Sequence, residues 1–316
     1  MNFIIHVHMH FSDNNGGTMV MFQLAKKISE NGYPVKIYHP YGNITTGIYD
    51  NYATLEDVND ETIAIYCHIV HNNPLGAKKI VRWIIYGVND WDYNQYADNE
   101  IIYYYLPFCK NNRSTQQLFA GVLSPDVRNR NIQRTNLVCY TVKKGIDYIK
   151  NQIRQKTGIF PHSVIFPKSK LTFVKKQTAV LVGEFHGIQE SCIDIFNKSK
   201  YFFCYDPCSF LVIIALLCGC IVIQDPVDGY SEEEWARSVL GPVKLKGFAY
   251  GIENIKYAEA TIGDAYGPCM QVVKRADISI KKFLYEMETK TYNLDKCYKY
   301  DESPFSIMRN GPKIKL

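Results

Sequence analysis

The stretch from Lys200 to Asp225, KYFFCYDPCSFLVIIALLCGCIVIQD, constrains the fold of this chain more than any other, because it reads as strand, turn, buried helix, strand. Residues 201–205 are short and aromatic, and Asp206-Pro207-Cys208-Ser209 carries turn and N-cap chemistry. Residues 210–217 are apolar throughout, and Cys218-Gly219 stops the helix before Ile221. A unit of this kind sets a helix N-terminus at the carboxyl edge of a sheet. Backbone N–H groups and the positive end of the helix dipole gather there, which suits a phosphate or diphosphate. The ligand this predicts is of nucleotide type.

The rest of the chain repeats the alternation. Residues 2–8 read as a strand, 18–30 as a helix ended by Asn31-Gly32, and 34–38 as the next strand. Further strands are expected at 62–68, 101–106 and 118–123, and a helix over 74–86 with Pro74 in its first turn. Residues 125–134, PDVRNRNIQR, are polar and basic, the composition of a connecting segment. The pattern then begins again, with strand 137–141, the turn Lys143-Lys144-Gly145, helix 146–155, strand 178–182 and helix 188–197. A last helical stretch, 277–292, carries Ile278, Ile280, Phe283, Leu284 and Met287 as a core-facing stripe. The fold expected is α/β: two Rossmann-like doubly wound parallel-sheet domains facing a cleft, over 1–130 and 131–316.

Composition narrows the class. At 316 residues the chain can give two domains a core each. With 47% hydrophobic and 21% charged residues it is globular, and a net charge of +5 without basic runs argues against a nucleic-acid groove. MNFIIHVHMHF has no basic flank and reads as a first strand rather than a secretion signal. The longest apolar run, 210–223, falls short of the roughly 18 residues a spanning helix needs. Ten cysteines without such a signal are expected to be free thiols in a reducing, cytoplasmic compartment. Cys204, Cys208, Cys218 and Cys220 are close in sequence, but three of the four fall at apolar strand or helix-end positions, so no metal site is expected.

The order of these signals resembles the GT-B glycosyltransferases. A glycine-containing loop follows the first strand, a K-K-G turn opens the second half, and D-P-x-S-F precedes A-L-L-C-G-C-I-V-I. The flavour is that of a polysaccharide-type group with Y-D-P-x-T/S and C-G-C, in which E-E-W and A-Y-G also occur, here Glu233-Glu234-Trp235 and Ala249-Tyr250-Gly251. The resemblance covers residues 2 to 260. It implies transfer of a sugar from a nucleotide diphosphate sugar to a saccharide or lipid-linked glycan acceptor. It implies no cofactor beyond that donor and no metal, and leaves peripheral contact with a membrane open. In this fold the last helix crosses back to the first domain.

Site residues follow from both readings. Gly16 and Gly17 lie between the first strand and the first helix, so the backbone can approach a ligand; a plain βα turn capped by Thr18 is the alternative. Lys143 and Lys144, beside Gly145, resemble the basic pair that stabilises a departing diphosphate. Asp206 aligns with the carboxylate that contacts the donor sugar, or else caps the helix, and Ser209 and Phe210 would offer donors to phosphate. Ile214 stands where the resemblance expects a second, ribose-binding carboxylate. Glu184 and His186 are a ligand-facing loop or an exposed turn. Asp13 is the candidate base, with His8, His10 and His71 nearby or in reserve. The rival to a transferase is a degenerate homologue that binds without turnover. An NAD-dependent dehydrogenase is disfavoured because Asn15-Gly16-Gly17-Thr18 lacks the G-x-G-x-x-G spacing.

Overall fold

The computed structural model describes residues 1–9, 16–85, 96–110, 113–114, 116–121, 123, 126–142, 179–181 and 191–289. These fall into two compact units: within the described residues one holds 1–9, 17–121 and 275–289, the other Gly16 and 123–274.

In the first unit, strands β1 (Asn2–His6), β2 (Val35–Tyr38), β3 (Thr62–Cys67), β4 (Lys79–Ile84), β5 (Ile101–Tyr104) and β6 (Gln116–Gln117) form one sheet. Its order is β2-β1-β3-β4-β5-β6, and every pair is parallel. Helix α1 (Gly16–Glu30) buries Val20, Met21, Leu24, Ala25 and Ile28, the stripe a 3.6-residue period places on one side. It stops at Asn31-Gly32, with Gly32 at a φ of +86°.

The segment 74–86, expected as a helix, instead contains β4. Ala77, Ile80, Val81, Ile84 and Ile85 recur at helical spacing, but a central parallel strand is covered on both faces and needs no alternation. Every β4 residue after Lys79 is buried. Arg82 is buried too. Its guanidinium donates to both Glu100 carboxylate oxygens at 2.7 and 3.0 Å, to Asn72 O at 2.9 Å and to Val70 O. It also lies over the rings of Tyr66 and Tyr96, at 4.9 and 4.7 Å. The strand expected at 118–123 is the earlier and shorter β6. Leu118 follows it as buried coil, accepting a hydrogen bond from Trp83 Nε1 at 2.9 Å.

The second unit repeats the design. Strands β7 (Asn136–Thr141), β8 (Ala179–Leu181), β9 (Ser199–Cys204), β10 (Ile221–Gln224) and β11 (Phe248–Tyr250) lie in the order β11-β10-β9-β7-β8, all parallel. Between them run α2 (Cys192–Lys198), α3 (Leu211–Leu217) and α4 (Glu232–Val239), and α5 (Ile255–Thr261) follows β11. Val138, Tyr201, Phe203, Ile221, Ile223 and Ala249 make a core face against Ala258 of α5, and Phe196 of α2 packs on Phe202 at 4.9 Å.

The polar residues 126–134 are tied to this unit. Arg130 pairs with Asp194, its N–H donates to Asn197 Oδ1 at 2.8 Å, and Asn197 Nδ2 donates to Arg128 O at 3.1 Å. Arg134 donates to Phe196 O and Ser199 O at the end of α2 and to Cys218 O at the end of α3, so one guanidinium caps two helix C-termini. That explains the glycine of C-G-C. Gly219 has a φ of +78°, and a Cβ there would come within 2.6 Å of both Arg134 Nη2 and Asn129 Nδ2. Gly219→Ala is therefore expected to cost about 1–3 kcal/mol for backbone strain plus lost caps. Gly229→Ala, with φ +81° but open space around it, should cost only the strain; urea denaturation of both variants makes the comparison. Cys218 and Cys220 thus lie at the amino edge of the sheet, while Cys204 and Cys208 lie at its carboxyl edge, so the four thiols do not converge. Among the described residues no His, Cys, Asp or Glu group could hold a metal ion.

The last helix, α6 (Tyr266–Thr289), begins earlier than the expected 277, because Pro268 in its first turn costs no helical hydrogen bond. From residue 275 it belongs to the first unit. Ile278, expected in the core-facing stripe, is exposed and does not meet that reading. Phe283 packs on Phe3 at 5.8 Å and Tyr103 at 5.2 Å, and Ser279 Oγ donates to Gln117 O at 3.1 Å and accepts from Phe119 N at 2.8 Å. Among the described residues no helix is long and apolar enough to cross a membrane.

Candidate functional site

Strand order locates the ligand sites of doubly wound sheets, which lie outside the carboxyl ends of the strands where the order reverses. In the second unit β7 pairs with both β8 and β9, so the reversal falls between β7 and β9. β7 ends at Thr141 and β9 at Cys204, which runs on into Tyr205-Asp206-Pro207.

The two strand ends are locked together. Tyr205 N donates to Thr141 O at 3.0 Å, and Thr141 Oγ1 donates to Asp206 Oδ2 at 3.2 Å, with both side chains buried. Gln224, wholly buried at the end of β10, donates from Nε2 to Asp206 O and Asp225 O, each at 3.0 Å. Trp235 of α4 donates from Nε1 to Pro207 O at 2.8 Å while its ring stacks on Phe248 at 5.2 Å. Tyr250 OH accepts from Val227 N at 2.7 Å and donates to Tyr230 O at 3.0 Å. Gly251 N donates to Gln224 O at 2.9 Å, at a φ of +85° that glycine alone adopts readily, and a Cβ would meet Glu253 Oε1 at 2.1 Å. The Y-D-P, E-E-W and A-Y-G motifs, scattered over 205–251, therefore converge on one edge. Burial, and next to it the Asp225 carboxylate, push the Tyr205 phenol up, so it stays a hydroxyl donor.

Several expectations change. Asp206 does not cap α3: it stands four residues ahead of Phe210, the N-cap residue, and is engaged by Thr141. Ser209 is buried and its Oγ accepts from Leu211 N at 3.3 Å. Phe210, half-buried, has helical backbone angles (φ −70°, ψ −13°) and no side-chain cap. At two turns, α3 offers a weaker dipole than the apolar run suggests. Ile214 is a half-buried apolar residue of that helix. Helix α1 begins at Gly16, so Gly16 and Gly17 form its first turn and the buried Thr18 is not its cap; a Cβ on Gly16 would meet nothing within 4 Å. His8 lies past the end of β1 and is half-buried, and it is His6 that closes the strand. His71 falls in the turn gripped by Arg82. Asp13, Lys143, Lys144, Gly145, Glu184, His186 and His10 lie outside the described residues.

Sequence reasoning missed Thr141 and Gln224. Their one visible signal is a polar residue closing an apolar strand, NLVCYT and IVIQ.

No family model matches the chain, and no curated protein matches it. Among solved structures it is similar to Anabaena Alr3699/HepE in complex with UDP and glucose: 11% identity, 92% of this chain and 100% of that one, TM-score 0.48. It is similar to a glycosyltransferase from Rickettsia africae ESF-5 at 10% identity, over 92% and 99% of the chains, with a TM-score of 0.46. T4 phage BGT in complex with its UDP-glucose substrate gives 12% identity over 91% and 96%, with a TM-score of 0.43. All these scores are below 0.5.

Proposed function

We propose that this chain is a nucleotide-sugar-dependent glycosyltransferase of the GT-B type, with its donor held at the carboxyl edge of the second sheet. The observation that carries the reading is the hydrogen bond from Thr141 to Asp206. It fixes a carboxylate at the point of strand reversal, where a doubly wound sheet takes its ligand. A carboxylate of this kind can accept hydrogen bonds from sugar hydroxyls. Tyr205, next to it in sequence, is kept protonated by burial and the Asp225 carboxylate.

In the same reading Lys143 and Lys144, which come after Val142 beyond β7, neutralise the departing nucleoside diphosphate, and Gly145, Ser209 and Phe210 lie on the phosphate side. Charge neutralisation then falls to ammonium groups in place of a divalent ion. Asp13 takes the proton of the acceptor hydroxyl if the reaction inverts, and Glu184 and His186 contact the donor. The acceptor is a saccharide or lipid-linked glycan.

The test is binding of UDP, GDP, ADP and dTDP and their sugars to the whole chain, followed by release of nucleotide. Asp206→Asn is expected to lower kcat/KM for the sugar nucleotide by about 10- to 100-fold, the worth of a hydrogen bond to a charged group, while affinity for the bare diphosphate holds. An unchanged kcat/KM removes Asp206 from the site, and a chain that binds none of these nucleotides ends the proposal. Ile214 favours a second reading, a binding module without turnover, because an apolar side chain stands where the GT-B pattern has a carboxylate. Retained nucleotide affinity with no release from any donor selects it.

A further inference from the structure

The second unit gathers unneutralised charge at the edge away from Asp206. Gly247 leads into β11, so the loop before it lies at the amino edge of the sheet. Leu245 of that loop is buried, and Lys244 and Lys246 on either side of it reach over one ring, Tyr257 of α5. Their ammonium nitrogens are 5.7 and 5.4 Å from its centroid. The loop is fastened to the same helix: Gly247 N donates to Thr261 Oγ1 at 3.0 Å, and Thr261 Oγ1 donates to Tyr257 O at 2.8 Å. Gly247 O accepts from Val222 N at 2.9 Å. With its φ at +72°, a Cβ on Gly247 would come within 2.5 Å of Ile262 Cδ1, so the backbone is pressed against the end of α5. The one carboxylate of α5, Glu259, is taken by Tyr201 OH at 2.5 Å and by Lys200 at 3.9 Å. Among the described residues neither Lys244 nor Lys246 forms an ion pair.

We infer that Lys244 and Lys246, set over Tyr257, form a binding site for a doubly charged oxyanion, the phosphomonoester group of a phosphorylated sugar or of a lipid headgroup. One ammonium over a phenol ring is a stabilising contact in its own right. A second one brought to the same ring adds like-charge repulsion, and no carboxylate is there to relieve it. A phosphomonoester carries about −1.5 to −2 charges at pH 7, which matches two lysines with the sign reversed, whereas a single carboxylate leaves half the charge standing. Its oxygens accept charge-assisted hydrogen bonds from both ammonium groups, each of which has three donors. The flexible stems let the two heads close on one phosphate, while the bonds from Gly247 through Thr261 to Tyr257 keep their roots and the ring together. The exposed part of the Tyr257 ring is left for the carbon body that bears the phosphate.

The inference concerns the opposite edge of the sheet from the proposed donor site and does not rest on it. Its test is fluorine NMR of the full chain carrying 3-fluorotyrosine, with the Tyr257 signal assigned through Tyr257→Phe. Glucose 6-phosphate is titrated against glucose and sodium chloride at matched ionic strength, and phosphatidylcholine vesicles are compared with and without phosphatidic acid. The expected result is a saturable shift of Tyr257 by glucose 6-phosphate or by the phosphatidic acid vesicles, and none by glucose, chloride or phosphatidylcholine alone. Lys244→Gln with Lys246→Gln should weaken that binding about tenfold or more, the scale of a lost charge-assisted hydrogen bond, while Lys244→Arg with Lys246→Arg keeps most of it. UDP affinity should be the same in the glutamine variant as in the parent chain. A shift with glucose 6-phosphate alone assigns the site to a soluble phosphate and a shift with vesicles alone to a headgroup; either supports the inference. Silence of Tyr257 towards both overturns it, and so does a shift that chloride reproduces or that the glutamine variant retains. A chain that binds phosphate at Tyr257 but no nucleotide ends the proposed transferase and leaves this site standing.

Discussion

Replacing Arg82 with methionine is expected to lower the unfolding free energy of the first unit by about 3–5 kcal/mol, the usual consequence of stripping one partner from a buried ion pair. The pair is completely enclosed, with the side chains of Arg82 and Glu100 0% and 1% exposed. Glu100 would be left as a buried carboxylate without its counter-ion, and Val70 O and Asn72 O would lose their donor. The double replacement Arg82→Met with Glu100→Leu should recover most of the loss, because the desolvation cost of both charges disappears together. Urea denaturation of the two singles and the double closes the cycle. A loss below about 1 kcal/mol in Arg82→Met, the size of an exposed pair, would show that the enclosure described here is wrong.

Acidification is expected to have an effect of similar size. Burial holds His6 down to about 3, and burial with His71 nearby holds His68 down to about 4, against 6.5 for a free histidine. In both cases the unfolded chain binds the proton more readily than the folded one. The stability they contribute is complete above pH 6.5 and is lost as pH falls from there toward the folded values. At about 1.4 kcal/mol per unit, lowering the pH to 4 costs on the order of 3 kcal/mol for each ring. The expected result is a steep fall in the denaturation midpoint between pH 6.5 and 4, flattened in His68→Gln. Stability that stays level through that window would mean that neither ring is shielded from water.

Much of the architecture was legible because a strand–helix–strand rhythm survives without knowledge of contacts. The segment 200–225 gave its strand, helix and second strand within a residue or two, since its apolar run is too long for one strand and Gly219 punctuates it. β4 was misread because a strand covered on both faces can imitate a helical period, and because a buried arginine looks like a solvent-facing one until Glu100 is found beside it. Asp206 stood out as a carboxylate in a turn. Thr141 and His6 did not, because Thr141 meets Asp206 only through pairing in the sheet, 65 residues away, and His6 is set by its neighbours on β2 and β3.

The first unit is discontinuous along the chain, and this orders its assembly. A ribosome releases residues 1–121 early, yet Phe3 and Tyr103 receive Phe283 as their cover only after the whole second unit has emerged. During synthesis the second sheet can therefore mature while the first still waits for its lid. A break placed anywhere in the second unit would also strand the first one unfinished.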